Sequence, residues 1–181
     1  MKFGDIPRMS QANYRVDVPW DNLKRHLELF GEGSTLDFDP PYQRGYVWSE
    51  AQKTAYLEFR LKGGMSGGDI FWNAPGWYSG KDEVIELVDG KQRLQTVLGF
   101  LNGEIRAFGL LYHEFEGEPD HVRHRFKFHV NDMADPVAVV QWYLDMNTGG
   151  SIHTEKDLEP AHQRLRELEA KQGRSTKSDA V

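Results

Sequence analysis

An apolar strand that runs through a glycine into an amphipathic helix constrains this chain more than any other feature. Residues 84–88 are nearly continuously apolar, which is typical of a strand buried on both faces. From Leu94 to Leu101, apolar residues recur at the i, i+3, i+4 and i+7 positions of one helical face, and Gly103 follows the end of that stretch. The sequence therefore predicts a buried strand joined by a tight turn to a helix.

The start of this helix has the chemistry of a phosphate site. Its free backbone N–H groups and the positive end of its dipole favour an anion, and Gly90 permits a tight turn. Lys91 and Arg93 lie in the first turn, where cations are normally disfavoured, so a negative group is expected between them. Asp89, at the end of the strand, is placed to hold a metal ion or to orient a water. The alternative is an ordinary strand-to-helix turn with a solvated first turn.

A second motif, Tyr42-Gln-Arg-Gly-Tyr-Val-Trp48, precedes the strand. Its rings offer stacking surfaces, Gln43 offers polar recognition and Arg44 offers a charged fork. The alternative is a loop whose aromatic side chains fill the core beside the next helix, and this reading is favoured for Tyr46 and Trp48.

Two further patterns have structural explanations. Asn147-Thr-Gly-Gly150 is typical of a helix C-terminus, because asparagine and glycine tolerate left-handed backbone. The pair His121 and His124, with His129, lies near Asp120 but lacks the spacing of a zinc site. A solvated basic hairpin is the favoured interpretation of that region, and it contains Arg123, Arg125 and Lys127.

Periodicity and capping residues predict the remaining elements. The expected strands are 14–18, 36–38, 69–72, 105–112 and 125–130, and the expected helices are 22–30, 50–61, 136–146 and 160–170. A loop is expected over 73–81. The predicted organisation is an N-terminal extension over 1–13, one domain over 14–170 and a disordered tail over 171–181.

Composition excludes several classes of protein. The 181 residues contain no cysteine, which excludes disulfides, thiolate metal sites and cysteine nucleophiles and fits a reducing compartment. There is no apolar signal core and no apolar run of membrane length, so the predicted location is cytoplasmic, with no membrane contact. The net charge of −6 confines any contact with DNA to a local patch, or requires a partner chain to share it.

In this order and at these distances, the motifs resemble the ParB/sulfiredoxin-like superfamily. The similar branch carries a DGQQR signature and includes the N-terminal domains of GmrSD-type modification-dependent restriction proteins, ParB-like nuclease domains and phosphorothioate-sensing defence proteins. Residues 42–48 match its Tyr-Gln-Arg-x-Tyr-x-Trp motif, residues 89–94 match Asp-Gly-Gln-Gln-Arg-Leu, and residues 147–150 match Asn-Thr-x-Gly. The resemblance covers roughly Val16 to Leu165 and implies an α+β fold, a small mixed sheet with packed helices.

The resemblance also implies a site for an NTP with Mg²⁺. It assigns catalytic roles to Asp89, Gln92 and Arg93, with Asp89 as the metal ligand. The implied nucleotide-binding residues are Gln43, Arg44, Gly90, Lys91, Gln92, Arg93 and Asn147. Two departures stand out: Lys91 replaces the usual glutamine, and restriction members usually continue into a nuclease domain where this chain stops.

Three functions follow from the resemblance, in order of preference. The first is NTP binding and hydrolysis in DNA restriction or phage defence. The second is a nucleotide-gated interaction module without turnover, working with a separate nuclease or other protein subunit. The third is a ParB-like DNA-binding or nuclease protein, encoded by a bacterium or a bacteriophage. The thiol chemistry of sulfiredoxins is excluded, because the chain has no cysteine.

Overall fold

A mixed β-sheet with helices on both faces forms the fold. The structure, a computed structural model, describes residues 13–76, 84–148 and 155–178. Within these ranges the five strands are β1 (Asn13–Pro19), β2 (Thr35–Asp37), β3 (Asp69–Asn73), β4 (Val84–Asp89) and β5 (Arg125–Asn131). Their order across the sheet is β1-β5-β3-β4-β2. The pairs β1–β5 and β3–β4 are antiparallel, whereas β5–β3 and β4–β2 are parallel.

Five α-helices accompany the sheet in the described residues. They are α1 (Leu23–Phe30), α2 (Glu50–Leu61), α3 (Lys91–Leu101), α4 (Pro136–Thr148) and α5 (Glu155–Ser178). Short 3₁₀ turns cover Trp20–Asn22 and Tyr112–Glu114. The mixed sheet and its helices confirm the predicted α+β class, while the ParB-like assignment of the fold stays a prediction.

Two hydrophobic cores lie on opposite faces of the sheet. Helices α1, α2 and α3 pack on one face, where Leu87 contributes from β4, and helices α4 and α5 pack on the other, where Val88 contributes. Both side chains are fully buried. Because successive residues of a strand point to opposite faces, this pair confirms that β4 is buried on both sides.

The predicted starts of α2 and α4 are confirmed by their caps. Ser49 caps α2 through a capping box: its hydroxyl accepts from the Gln52 backbone N–H at 3.3 Å, and the Gln52 side chain accepts from the Ser49 N–H at 2.9 Å. At α4, the Asp135 carboxylate accepts from the Val137 N–H at 3.0 Å. These caps fix where α2 leaves the 40–48 loop and where α4 begins.

The strand predicted over 105–112 is wrong. Ala107 and Leu110 instead exchange two backbone hydrogen bonds of 2.9 Å, which closes a tight turn. Phe108 and Gly109 form its tip with φ of +52° and +77°. The alternating apolar pattern suggested an extended segment, but two consecutive residues in left-handed backbone reverse the chain after only one bridge.

Boundaries differ from the predictions at the C-terminal end. Helix α5 begins at Glu155 and continues to Ser178, so Pro160 lies inside it and the helix passes the expected end at Ala170. Gly149, Gly150 and most of the loop predicted over 73–81 lie outside the described residues, and the division of the chain into extension, domain and tail stays a prediction. None of the helices in the described ranges combines the length and the apolar character needed to cross a membrane.

Candidate functional site at the start of helix α3

Gly90 turns the chain from β4 into α3. Its φ of +105° lies in the left-handed region that favours glycine. A Cβ at this position would lie 2.6 Å from Ile70 Cδ1 and 3.3 Å from Ile70 Cα, so β3 leaves no room for a side chain. The glycine therefore allows the start of α3 to press directly against the neighbouring strand.

The first turn of α3 has backbone donors that the helix itself does not use. The first helical hydrogen bond runs from the Leu94 N–H to the Gly90 carbonyl at 2.8 Å. The three preceding amides, at residues 91–93, lack an acceptor within the helix and lie at the positive end of its dipole. This arrangement can hold an anion.

Asp89 and Arg93 form an ion pair across this turn. An Arg93 Nη2 donates to Asp89 Oδ2 at 2.5 Å, and the side chains of Arg93 and Asp89 are 21% and 33% exposed, respectively. The stem of Arg93 lies beside the turn at Gly67, where an added Cβ would lie 3.7 Å from the Arg93 Cδ. The carboxylate and the guanidinium expected at the site are therefore adjacent and half-buried, and each neutralises the charge of the other.

Lys91 points away from the helix start. Its ammonium, almost completely buried, donates to the Asp39 carboxylate and to the Arg44 carbonyl, the latter at 3.2 Å. Lys91, which replaces the usual glutamine of the motif, therefore holds the loop between β2 and α2 in place. Arg44 itself is half-buried in that loop.

Gln92 holds the same loop through both ends of its amide. Its Oε1 accepts from the backbone N–H groups of Val47 and Trp48 at 3.0 and 3.1 Å, and its Nε2 donates to the Gly45 carbonyl at 2.9 Å. Three hydrogen bonds to main chain make this side chain a clamp on residues 45–48.

Gln43 completes the attachment of the loop to β4. Its Nε2 donates to the carbonyls of Leu87 and Val88, the latter at 2.9 Å. The pairing of β2 with β4 ends at the Asp37–Glu86 register, so these carbonyls lie just beyond it. A side-chain amide therefore continues the edge contacts that the short strand β2 does not reach.

Asn147 lies in α4, on the opposite face of the sheet from α3. It is buried, and its Nδ2 donates to the Tyr143 carbonyl one turn earlier at 2.7 Å. The described contact of this side chain thus stays within its own helix. The structure brings together Gln43, Arg44 and residues 89–93, while Asn147 is not seen to contact them.

Sequence reasoning missed the pairing of Tyr42 with Glu86. The Tyr42 hydroxyl donates to Glu86 Oε2 at 3.1 Å, and burial, together with the charges of Glu86 and Asp37, raises the pKa of Tyr42. Burial, and then the nearby charge of Asp37, raises the pKa of Glu86. A glutamate inside an apolar strand was the available signal. Because Tyr42 is buried, its ring packs in the core and offers a ligand no stacking surface.

Of the other two aromatic residues of the motif, Trp48 is half-buried, whereas Tyr46 is exposed and does not fill the core as expected. The Tyr46 hydroxyl lies 2.9 Å from Thr96 Oγ1, and the ring of Trp48 lies 5.2 Å from that of Tyr56. The histidines at 121, 124 and 129 have separate partners: Asp21, the Leu61 carbonyl and Asp69. Among the described residues, no group of three acidic or histidine side chains is arranged to hold a metal ion.

A comparison with protein families identifies the family of this chain. The family model described as the N-terminal domain of the GmrSD restriction endonuclease matches residues 27–178. This range contains the 40–48 loop, β4, the turn at Gly90 and all of α2 to α5. No curated protein and no solved structure matches the chain.

Proposed function

The chain belongs to the GmrSD restriction endonuclease N-terminal domain family, and from this premise we propose that it binds the phosphates of an NTP at the start of α3 and hydrolyses the NTP. The observation that supports this proposal most is the Asp89–Arg93 pair beside three helix-start amides. An anion at this position gains the amides and the helix dipole together. The proposal places the protein in DNA restriction and phage defence, with DNA and a nuclease subunit as its partners.

Arg93 is the residue proposed to bind the phosphate. Its guanidinium is already at the helix start, and it can exchange the Asp89 carboxylate for a phosphate oxygen of the same charge. The stem of Arg93 lies beside Gly67, so the exchange needs only a movement of the end of the side chain. Binding of the phosphate by Arg93 therefore frees Asp89.

Asp89 is suited to a Mg²⁺–nucleotide rather than to a free metal ion. Mg²⁺ commonly uses one or two carboxylates with phosphate oxygens and water, which suits a single half-buried carboxylate at the helix start. When bound, Mg²⁺ supplies neutralisation of the phosphate charge. Asp89, freed from Arg93, would hold the Mg²⁺ or orient a water.

A test compares Mg²⁺-nucleotide titrations of the wild type with those of Arg93→Gln, using ATP, GTP and CTP in a calorimeter. Loss of a charged hydrogen bond predicts roughly 10- to 100-fold weaker binding. Arg106→Gln is the matched control, because Arg106 also pairs with a carboxylate, Glu114 at 3.1 Å, in the turn after α3. Unchanged nucleotide affinity in Arg93→Gln would contradict the proposed site.

The second candidate, nucleotide binding without turnover, is favoured by the three hydrogen bonds of Gln92 to the 45–48 loop. An amide fully used by main chain does not orient an attacking water. This candidate predicts binding with negligible phosphate release and a change in oligomeric state, measured by sedimentation. Steady phosphate release that Asp89→Asn abolishes would reject it in favour of hydrolysis.

A further inference from the structure

A shallow groove with a positive lining lies near the end of α2 and includes Gly68 of the turn before β3. It is formed by the start of β5 and its neighbours β1 and β3. The charged side chains that line it are Arg60, Arg123, Arg125, Lys127, Asp17 and Asp69. Cations therefore outnumber carboxylates in the described lining, although the chain as a whole is acidic.

The cations at the surface of the groove are accessible to a ligand. Arg123 is 65% exposed and lies 3.3 Å from Asp120, an ion pair that solvent weakens. Lys127 is exposed, and its ammonium makes no ion pair with any residue that the structure describes. Arg125 and Lys127 are alternate residues of β5, so their side chains project from the same face of the sheet.

Arg60 lies beneath these cations and fixes their backbone. It is only 3% exposed, and its guanidinium donates to the carbonyls of Arg125 at 2.6 Å, Ser66 at 3.3 Å and Arg123 at 3.5 Å. These acceptors are neutral carbonyls, so no ion pair cancels the charge of Arg60, and the only carboxylate that acts on it among the described residues is that of Asp69 in the same groove. The basic segment is consequently held in place before any partner binds.

The two carboxylates of the groove already have cationic or histidine partners. Asp17 Oδ2 lies 3.4 Å from an Arg125 Nη1, and Asp69 Oδ1 lies 2.6 Å from His129 Nε2. They therefore repel an approaching anion less than free carboxylates do. Asp17 and Asp69 also flank Lys127 across the sheet, because both are its partners in the strand register.

The composition of the described lining favours a duplex over a single strand. Met65 and Val122 are both strongly exposed beside the cations, and no aromatic ring is among the described lining residues. Proteins that bind single strands use aromatic rings to stack on the bases. A duplex keeps the faces of its bases stacked on one another and presents about one negative charge per 1.7 Å of its axis.

We propose that this groove binds the phosphate backbone of double-stranded nucleic acid. The contact is confined to Arg123, Arg125 and Lys127, with Arg60 fixing their backbone. The groove shares no lining residue with the start of α3, although Gly68 of its lining directly follows Gly67, beside which Arg93 lies. The proposed contact requires no nucleotide. Such contacts position a duplex without reading its sequence.

The test measures binding of a fluorescein-labelled DNA duplex to the full chain by anisotropy over a series of salt concentrations, without nucleotide or Mg²⁺. The variant is Arg123→Gln with Lys127→Gln, because both side chains are exposed and their loss leaves the core intact. The control is Lys24→Gln with Arg25→Gln on the exposed side of α1, which makes the same change in net charge. Circular dichroism and thermal melting verify that both variants fold.

The groove variant is expected to bind the duplex roughly tenfold more weakly, and the slope of log K against log salt becomes shallower by about 2. The control keeps the wild-type affinity and slope. Equal behaviour of the two variants would overturn the proposal, and so would no binding by the wild type at low salt. Competition by polyglutamate as strong as by unlabelled duplex would overturn it in favour of an acidic protein partner.

Discussion

Two basic regions of the molecule differ in how far their cations are paired with carboxylates of the same chain. At the start of α3, Lys91 donates to Asp39 and Arg93 pairs with Asp89. In the groove at the start of β5, Lys127 has no ion pair among the described residues and Arg123 is largely exposed. The first region is compensated from within the chain. In the second, Arg123 and Arg125 have exposed carboxylate partners, and Lys127 keeps its charge available for a ligand.

A cation in a motif is therefore not by itself a ligand-binding cation. The Lys91 ammonium and the Gln92 amide hold the 39–48 loop, so only Arg93 among the side chains of this first turn is left to meet a phosphate, and it must first leave Asp89. A phosphate bound here replaces an internal carboxylate. A phosphate bound in the groove meets Lys127 without displacing a protein partner.

The largest expected effect comes from Gly90→Ala, which tests whether the turn needs a glycine to pack closely against Ile70 of β3. The left-handed backbone and the contact of the new Cβ with Ile70 predict a loss of about 3–5 kcal/mol in the free energy of unfolding, measured with urea. Gly45→Ala is the control in the neighbouring loop. Nothing lies within 4 Å of a Cβ there, so we expect a change below about 0.5 kcal/mol. Similar losses in both variants would refute the steric explanation.

A smaller effect is expected from Gln92→Ala. This variant tests whether Gln92 holds the 45–48 loop or serves to bind a ligand. Removing three hydrogen bonds to the 45–48 loop predicts a loss of about 2–3 kcal/mol in the free energy of unfolding without any nucleotide present. Gln95→Ala in the same helix is the control, because Gln95 makes no side-chain hydrogen bond with the described residues. If Gln92→Ala is as stable as the control, the clamp contributes nothing and a ligand role is favoured.

The smallest effect is expected from Glu86→Gln, which tests the face of β4 opposite to Asp89. Because burial raises the pKa of Glu86 in the folded state, this group favours folding below its unfolded pKa of about 4.3, and that contribution is lost as the pH rises through the folded pKa. Unfolding free energies measured between these limits should fall less steeply with pH in Glu86→Gln than in the wild type. Glu28→Gln, on the exposed side of α1, should retain the wild-type slope. An unchanged slope in Glu86→Gln would show that Glu86 does not titrate in this window.

Much of the fold was predictable because its signals are local. The apolar run of β4, the periodicity of α3 and the capping box at Ser49 each act within a few residues, and each is confirmed. The 105–112 segment was not predictable in the same way. Its tip has Phe108 in a left-handed conformation, for which asparagine or glycine is the usual signal.

The candidate site was predictable in position but not in its internal partners. Asp89, Gly90 and Arg93 meet through neighbours in sequence, so the turn itself predicts that they lie together. The bond between Lys91 and Asp39 joins residues 52 positions apart, and the bonds of Gln92 reach the loop from a similar separation. Such contacts depend on how the loop returns to the sheet, which no local pattern encodes.

The most direct test of the difference between the two regions titrates both ligands into the same variants. Arg93→Gln is expected to weaken Mg²⁺-nucleotide binding roughly 10- to 100-fold while duplex affinity stays within about twofold. The Arg123→Gln, Lys127→Gln variant is expected to show the reverse. One variant that loses both ligands to the same extent would contradict the separation of the nucleotide site from the duplex groove.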